Sequence, residues 1–308
     1  MTTIVDQLKN YRKAINGHAF AWTSLLIAVL VLLNYTVGIQ SRIILLTGSW
    51  QQFLAFFLLF GFVYGAAWLI TLVFSGDRIH AAPFFYLLLA GSALIFAGKI
   101  TFYWLSDTLT RDLPIPWNAY WSNVLNWPCK GLFVLIMVAV LWRAGNYEGP
   151  VAGLCARRTR VAPYLLLLLC MVPLIAIAAM QPDFQEAYPK WQWTAFIEPY
   201  TTNSLPYKLL FELSYGLDFV TIELFFRGFL VLAFTRYAGK DAILPMAAFY
   251  CSIHFGKPVF ECITSYFGGI ILGVIVYHTR SIWGGLIVHL GIAWLMEVAG
   301  YIAQCTKS

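Results

Sequence analysis

Long apolar runs, separated by short polar stretches, dominate the whole chain. Their periodicity and the helix-breaking residues between them predict nine helices, at about residues 20–38, 52–75, 82–105, 122–142, 162–180, 207–235, 241–255, 259–277 and 281–303. A helix needs about 20 apolar residues to cross a hydrocarbon core of roughly 30 Å. The pattern therefore predicts an all-α, polytopic transmembrane helix bundle of about eight to nine spans.

Composition excludes a water-soluble domain. Hydrophobic residues make up 60% of the 308 and charged residues only 11%, and the mean hydropathy is +0.73. Soluble domains carry about 25% charged residues. The net charge of +6 is spread over short loops and forms no patch with interleaved aromatic residues, which argues against nucleic acid as a partner. The six cysteines show no C-x-x-C spacing, so neither a zinc knuckle nor a disulfide framework is indicated.

The basic residues indicate an orientation. With a cytoplasmic N-terminus, eleven of them lie inside and eight outside, and Arg227 is counted in neither group because it lies in mid-helix. This bias agrees with the positive-inside rule. The inner group comprises Lys9, Arg12, Lys13, Arg78, Arg143, Arg157, Arg158, Arg160, Arg236, Lys240 and Arg280. We therefore expect an integral, multi-pass protein of a bacterial inner membrane, in contact with membrane lipid.

The chain divides by the chemistry of its spans. Residues 1–205 are expected to form five almost wholly apolar spans and an aromatic-rich external loop, and residues 206–308 a second membrane region that carries ionisable side chains. A charged side chain inside a membrane is costly, so it usually marks a function and has a partner. The residues concerned are Asp218, Glu223, Arg227, His254, Glu261, His289 and Glu297.

Three groups in this region are candidates for chemistry. Glu223 and Arg227 are four residues apart on one helical face and can pair, although such a pair can also be purely structural. His254 stands just before a Gly and a Pro that end its helix, and His289 lies on the last predicted span. A carboxylate with two imidazoles can activate a water molecule, with or without a metal ion.

The order Glu223-x-x-x-Arg227-Gly, then Tyr250-x-x-x-His254, then His289 resembles the CPBP family, also called ABI, of CAAX prenyl endopeptidases and bacteriocin-processing intramembrane proteases. The family motifs are written E-E-x-x-x-R, F-x-x-x-H and H-x-x-x-N or D. The resemblance covers about residues 207–303. It implies a helix bundle around a catalytic cavity that opens toward the membrane.

The resemblance also implies site residues. Glu223 and His254 would activate water, His289 would hold the water or stabilise the oxyanion, and Arg227 would orient Glu223. If a metal ion such as zinc is used, Glu223, His254 and His289 would bind it; the cofactor is otherwise unknown or absent. The substrate would be a membrane-associated peptide or a membrane protein, for example a prenylated peptide.

Two positions depart from the family pattern. Ile222 occupies the place of the first motif glutamate, and Ala293 that of the oxyanion-stabilising Asn or Asp. Asp218 lies one helical turn before Ile222 and is a candidate for the missing base, as are Glu223 itself, Glu261 and Glu297.

Two functions of another class remain as alternatives. One is a family member with impaired catalysis that acts as a membrane binding, scaffold or immunity protein. The other is a proton-coupled transporter. It is ranked last, because no matched pair of interrupted spans marks an inverted repeat. The sequence contains no Walker A loop, H-E-x-x-H motif or G-x-S-x-G elbow.

Overall fold

A computed structural model of the chain describes residues 3–75, 79, 82–155 and 161–306. The structure is 84% helical, and the residues it describes contain no strand. The predicted all-α membrane bundle is confirmed. The predicted inner residues Arg78, Arg157, Arg158 and Arg160 lie outside the described residues.

The α-helices follow one another as α1 (Ile4–Ala14), α2 (Gly17–Val37), α3 (Ile39–Ile44), α4 (Ser49–Ser75), α5 (Pro83–Thr101), α6 (Trp104–Thr110), α7 (Trp117–Ala144), α8 (Ala162–Ala178), α9 (Pro182–Ala187), α10 (Leu205–Ile222), α11 (Leu232–Ala238), α12 (Ile243–Ser252), α13 (Val259–Thr279) and α14 (Trp283–Cys305). Three 3-10 segments lie at Val151–Gly153, Lys190–Tyr200 and Gly239–Ala242. A π-helical segment, Glu223–Val231, connects α10 to α11.

Six helical stretches in the described part of the chain are long and apolar enough to cross a membrane: α2, α4, Pro83–Thr110, α7, α13 and α14. The other three predicted helices are also present. One is α8, which has 17 residues, and another is α12, which has 10. The third runs through α10, the π-helical segment and α11. The predicted helix 241–255 ends earlier than expected, at Ser252, before the Gly and Pro that follow His254.

The chain forms two compact units. Unit 1 comprises residues 1–101, 137–159 and 224–285, and unit 2 comprises residues 102–136, 160–223 and 286–308. The chain passes from unit 2 to unit 1 between Glu223 and Leu224. The predicted division into residues 1–205 and 206–308 rests on which spans carry ionisable residues, and it stays a prediction.

Aromatic rings fill the interior of unit 1. The Tyr64, Trp68 and Phe234 rings lie 5.1–6.2 Å apart between centroids, and the Phe96 and Phe249 rings 5.8 Å apart. Such pairs contribute about 0.5–1.5 kcal/mol each beyond the area that they bury. They join α4, α5, α11 and α12, and thereby hold α12, which leads to His254.

Close helix contact brings α13 against α12. A Cβ atom added at Gly273 would lie 2.7 Å from Met246 Cε and 3.0 Å from Ile243 Cγ2. A Cβ atom at Gly269 would lie 3.3 Å from the Cα of Ala247. The small size of these two glycines lets the backbones of α12 and α13 approach closely.

Unit 2 has two smaller apolar clusters. One joins α8, α9 and α14 through Ile175, Phe184, Tyr188 and Met296. The other joins α7, the Lys190–Tyr200 segment and α10 through Tyr120, Val124, Ile197 and Phe211. The Ser214 hydroxyl also donates to the Val124 carbonyl, which fixes α10 against α7. Both clusters lie on helices that carry candidate site residues.

One buried amide, that of Asn34, fixes the turn that follows α12. The Asn34 Nδ2 donates to the Phe255 carbonyl at 2.8 Å, and its Oδ1 accepts from the Gln40 backbone N–H at 3.0 Å. The Tyr35 hydroxyl donates to the Lys257 carbonyl at 2.6 Å. Because these bonds come from α2, the backbone around His254 is held by a helix distant in sequence.

Replacing Asn34 by leucine is expected to destabilise the protein by about 1–3 kcal/mol, because the Phe255 carbonyl and the Gln40 N–H lose their buried partner. Thermal unfolding in detergent measures the change. Thr36→Val is the matched control, since the exposed Thr36 hydroxyl bonds only within its own helix, to the Leu32 carbonyl. Equal stability of the two variants would contradict the anchoring role of Asn34.

Candidate active site

The first motif lies at a change of helix type. α10 ends at Ile222, and Glu223–Val231 forms a π-helical segment before α11 begins. π-Helical turns are rare and occur frequently at functional sites. The wider turn shifts the side chains that follow it. The segment contains Glu223, Arg227 and Gly228, and all three are buried. The unusual backbone therefore coincides with the residues that the sequence singled out.

Glu223 and His289 form a direct pair in unit 2. The His289 Nδ1 lies 2.8 Å from the Glu223 Oε1. The Glu223 side chain is completely buried, whereas that of His289 is 14% exposed. An ionised carboxylate only accepts hydrogen bonds, so Nδ1 carries the proton and the lone pair of a neutral ring lies on Nε2. The pair brings together a buried carboxylate and an imidazole whose second nitrogen can accept a proton.

Neighbouring rings hold the His289 imidazole. Phe219, one turn before Glu223 on α10, meets it edge to face, with 4.8 Å between ring centroids and an interplanar angle of 82°. Phe219 in turn packs against Tyr215 at 5.1 Å. The carboxylate and the phenyl ring together define both the tautomer and the orientation of the histidine.

α10 and α14 face each other along this region. A Cβ atom at Gly216 would lie 3.5 Å from Leu290 Cδ1 and 3.7 Å from Trp294 Cζ2, which are ordinary van der Waals distances. Ala293, one turn after His289, is buried and supplies no hydrogen-bond donor. Ile222, immediately before Glu223, is buried as well. The two positions that depart from the family motifs are therefore apolar and buried.

Asp218 belongs to another polar group of unit 2. Its carboxylate acts electrostatically on the Tyr103 phenol. The Lys130 ammonium lies 3.6 Å from the centroid of the Tyr103 ring, and Lys130 is buried. Such a desolvated cation–π contact contributes about 2 kcal/mol. Asp218 therefore lies in a group with a buried cation, and its proposed role as a substitute base stays a prediction.

In unit 1, Arg227 contacts the Tyr250 ring and this ring meets the His254 imidazole edge to face. The Arg227 Cζ lies 3.8 Å from the centroid of the Tyr250 ring. The Tyr250 and His254 rings are 4.6 Å apart, and the His254 Nδ1 is 2.9 Å from the Tyr250 carbonyl oxygen. The carbonyl can only accept, so Nδ1 carries a proton here too. The aromatic of the second motif thus connects the arginine of the first motif to the histidine of the second.

The remaining candidate carboxylates have structural partners. The Lys257 Nζ lies 3.4 Å from the Glu261 Oε1, across one turn at the start of α13. The Glu297 Oε2 accepts the Lys190 backbone N–H at 2.6 Å and ties the Lys190–Tyr200 segment to α14. Glu212 on α10 interacts electrostatically with both Glu297 and Lys190. No sequence pattern predicts the contacts of Glu212, because its partners are about 20 and 85 residues away.

If the protein uses a metal ion, the family resemblance implies that Glu223, His254 and His289 bind it. The part of the chain that the structure describes contains no group of three or more His, Cys, Asp and Glu side chains arranged to hold one. Glu223 and His289 already satisfy each other through a hydrogen bond. The predicted metal ligands Glu223, His254 and His289 stay a prediction.

The comparisons with known proteins agree with the motif resemblance. Residues 208–295 match the family model described as Rce1-like, type II CAAX prenyl endopeptidase Rce1-like. No curated protein and no solved structure matches the chain. The matched segment runs from α10 into α14 and includes Glu223, Arg227, Tyr250, His254 and His289. The predicted resemblance to this family, over about residues 207–303, is confirmed for the matched segment.

Replacing Tyr250 by leucine is expected to destabilise the protein by about 2 kcal/mol or more, because a buried cation–π contact and several ring contacts are lost. Tyr250→Phe keeps the ring and is expected to change stability little. Unfolding of both variants in detergent tests this. If phenylalanine destabilises as much as leucine, the hydroxyl and not the ring is the essential group.

A methyl group at position 228 is expected to destabilise unit 1 by about 1–3 kcal/mol, the usual range for overpacking. A Cβ atom at Gly228 would overlap the carbonyl oxygen of Ala152, which is backbone and cannot rotate away. Gly268→Ala is the matched control, because nothing lies within 4 Å of the Cβ position there. The control should be neutral or stabilise by up to about 1 kcal/mol. Thermal midpoints of Gly228→Ala and Gly268→Ala give the comparison.

Proposed function

Because the chain contains, in residues 208–295, the Rce1-like segment of the CAAX prenyl endopeptidase family, we propose that it is an intramembrane endopeptidase. The observation that carries this proposal is the 2.8 Å bond between the buried Glu223 and His289. The bond supplies an oriented general base on two helices of the matched segment. The substrate class proposed from the family is a membrane-associated peptide, such as a prenylated peptide.

The proposed reaction begins with water. The His289 Nε2 accepts a proton from water as its oxygen attacks the scissile carbonyl carbon, and the Glu223 carboxylate stabilises the imidazolium that forms. The tetrahedral intermediate then collapses, the C–N bond breaks, and the imidazolium gives its proton to the leaving amine. The products are a carboxylic acid, which ionises, and an amine, which takes up the released proton, and the histidine returns to its neutral form. This assigns proton transfer to His289 and orientation to Glu223.

Arg227 and His254 are proposed to take part through the second motif. An arginine held over an aromatic ring remains charged, and an imidazole with a protonated Nδ1 keeps its second nitrogen as an acceptor. His254 thus has the same tautomer as His289 and is a second candidate for water activation. The double variant His254→Ala/His289→Ala tests whether the two histidines act in the same step.

Oxyanion stabilisation normally contributes about 3–4 kcal/mol per donor. The motif position of that donor is Ala293, which offers only a methyl group. We therefore propose a slow endopeptidase, or a different donor for the oxyanion. The cofactor is proposed to be a divalent metal ion or none, and the membrane a bacterial inner membrane with a cytoplasmic N-terminus.

A binding role without turnover is the second candidate. The buried apolar side chains of Ile222 and Ala293, at two positions where the family has polar groups, favour it. In that case the same polar groups would recognise a prenylated or membrane peptide and leave it intact. Peptide binding with no cleavage beyond that of the inactive variant would support this function.

Glu223→Gln and His289→Ala are each expected to lower kcat/KM by about 10²–10⁴-fold on a fluorogenic prenylated peptide, because each removes part of the general base. The double variant should be about as slow as the slower single variant, since the two residues act as a unit. Steady-state kinetics of the purified protein in detergent or nanodiscs provides the measurement.

Glu261→Gln is the control, because that carboxylate pairs with Lys257 at the start of α13. It should retain near wild-type activity. His254→Ala, alone and combined with His289→Ala, shows whether the two imidazoles serve one step. Non-additive losses of kcat/KM indicate one shared step, and additive losses indicate two separate steps. Wild-type cleavage no faster than that of Glu223→Gln/His289→Ala would reject the endopeptidase.

A further inference from the structure

The first helix, α1, is amphipathic and lies against the membrane helices of unit 1. Tyr11 is buried, and Ile4 and Leu8 on the same face are half-buried. This face packs on α13. The opposite face exposes Val5, Lys9, Arg12 and Lys13, which recur at helical spacing. We call Lys9, Arg12 and Lys13 the cationic stripe.

Hydrogen bonds define both ends of the helix that carries the stripe. The Thr3 hydroxyl accepts from the Asp6 backbone N–H at 3.1 Å, and the Asp6 carboxylate accepts from the Thr3 N–H at 3.1 Å, so a complete capping box starts α1. At the other end, Asn16 caps α2 by accepting from the His18 N–H at 2.9 Å, and donates to the Phe74 carbonyl at 2.8 Å. α1 therefore has a fixed position beside the ends of α2 and α4.

This position lies at the membrane surface. α1 ends at Ala14, and α2, the first helix long enough to span, begins at Gly17. Two intervening residues reach at most about 10 Å. α4 ends at Ser75, next to Phe74, whose carbonyl accepts a hydrogen bond from the Asn16 side chain. The bond between Asn16 and Phe74 therefore marks the level at which α2 and α4 leave the hydrocarbon. The C-terminal end of α1, with Arg12 and Lys13, thus lies near the level of lipid headgroups.

The local charge is strongly positive. The stripe carries three cations, and the acidic residue of α1 is Asp6. Hydrogen bonds from the Thr3 side chain and backbone lower the pKa of Asp6, so its carboxylate is ionised and serves the helix cap. Near Tyr11, Asp241 is paired with Lys240 at 3.0 Å. No carboxylate of α1 other than Asp6 can neutralise the stripe.

We propose that α1 is a docked interfacial helix whose cationic stripe binds the headgroups of anionic phospholipids at the membrane face where the N-terminus lies. Headgroup phosphates at that level complement the stripe, and the exposed Val5 beside it suits the boundary with the acyl chains. A protein partner would need a broader apolar patch than one valine. Since α1 packs on α13, lipid bound there stabilises unit 1.

Thermal unfolding in detergent, with phosphatidylglycerol, phosphatidylcholine or inorganic phosphate added, tests the proposal. Phosphatidylglycerol should raise the wild-type midpoint temperature more than equal amounts of phosphatidylcholine, and high salt should reduce that difference. Each cation near an anionic surface is worth about 1 kcal/mol, so Lys9→Gln/Arg12→Gln should require roughly 25-fold more phosphatidylglycerol for half the stabilisation.

Arg42→Gln/Arg111→Gln is the matched control, because it removes two exposed cations that are not part of α1 and should respond like wild type. A double variant that keeps the full response, or equal stabilisation by both lipids, would overturn the proposal. The same shift with inorganic phosphate alone would show a free-anion site and overturn it too. If Lys9→Gln/Arg12→Gln does not fold, the single variants and the salt dependence of wild type decide the question.

Discussion

A charged side chain that is buried in a membrane protein needs a protein partner in place of water. The bond between Glu223 and His289 is the clearest case in this protein. Water cannot solvate a carboxylate that is completely buried, so the free energy of burying it must be offset by hydrogen bonds from the protein. The imidazole from α14 does this for the carboxylate at the end of α10. The same bond that makes the charge tolerable also fixes the tautomer that proton transfer needs.

The other buried charges of the chain follow the same rule with different partners. Arg227 and Lys130 lie over tyrosine rings, and Glu297 accepts a backbone N–H. Aromatic faces offer electron density without a second charge, so they stabilise a cation at a smaller desolvation cost than a carboxylate would. The high aromatic content of the sequence therefore contributes both packing and charge compensation.

The chain keeps most residues of the family motifs and replaces two of them, at Ile222 and Ala293. Glu223 and His289, which are proposed to orient and transfer protons, are joined by a hydrogen bond, whereas the motif position of the oxyanion donor carries Ala293. Ile222, next to Glu223, replaces a second carboxylate and lowers the density of negative charge at the end of α10. With one carboxylate instead of two, the N–H of a single imidazole supplies the hydrogen bond that the buried Glu223 receives.

The sequence by itself determined the class of fold and the important residues. Apolar runs of spanning length predict helices because no other element satisfies the backbone in lipid, and ionisable residues within such runs stand out because they are costly. All nine predicted helices are present, and Glu223, Arg227, His254 and His289 came from spacing and motif alone. Only the tertiary structure decided the partners. The π-helical turn at Glu223, the Tyr250 ring between Arg227 and His254, and the cluster of Glu212, Glu297 and Lys190 depend on contacts between residues distant in sequence. Helical periodicity gives the face on which a residue lies, but the neighbouring helix that meets this face is chosen by the packing of the whole unit.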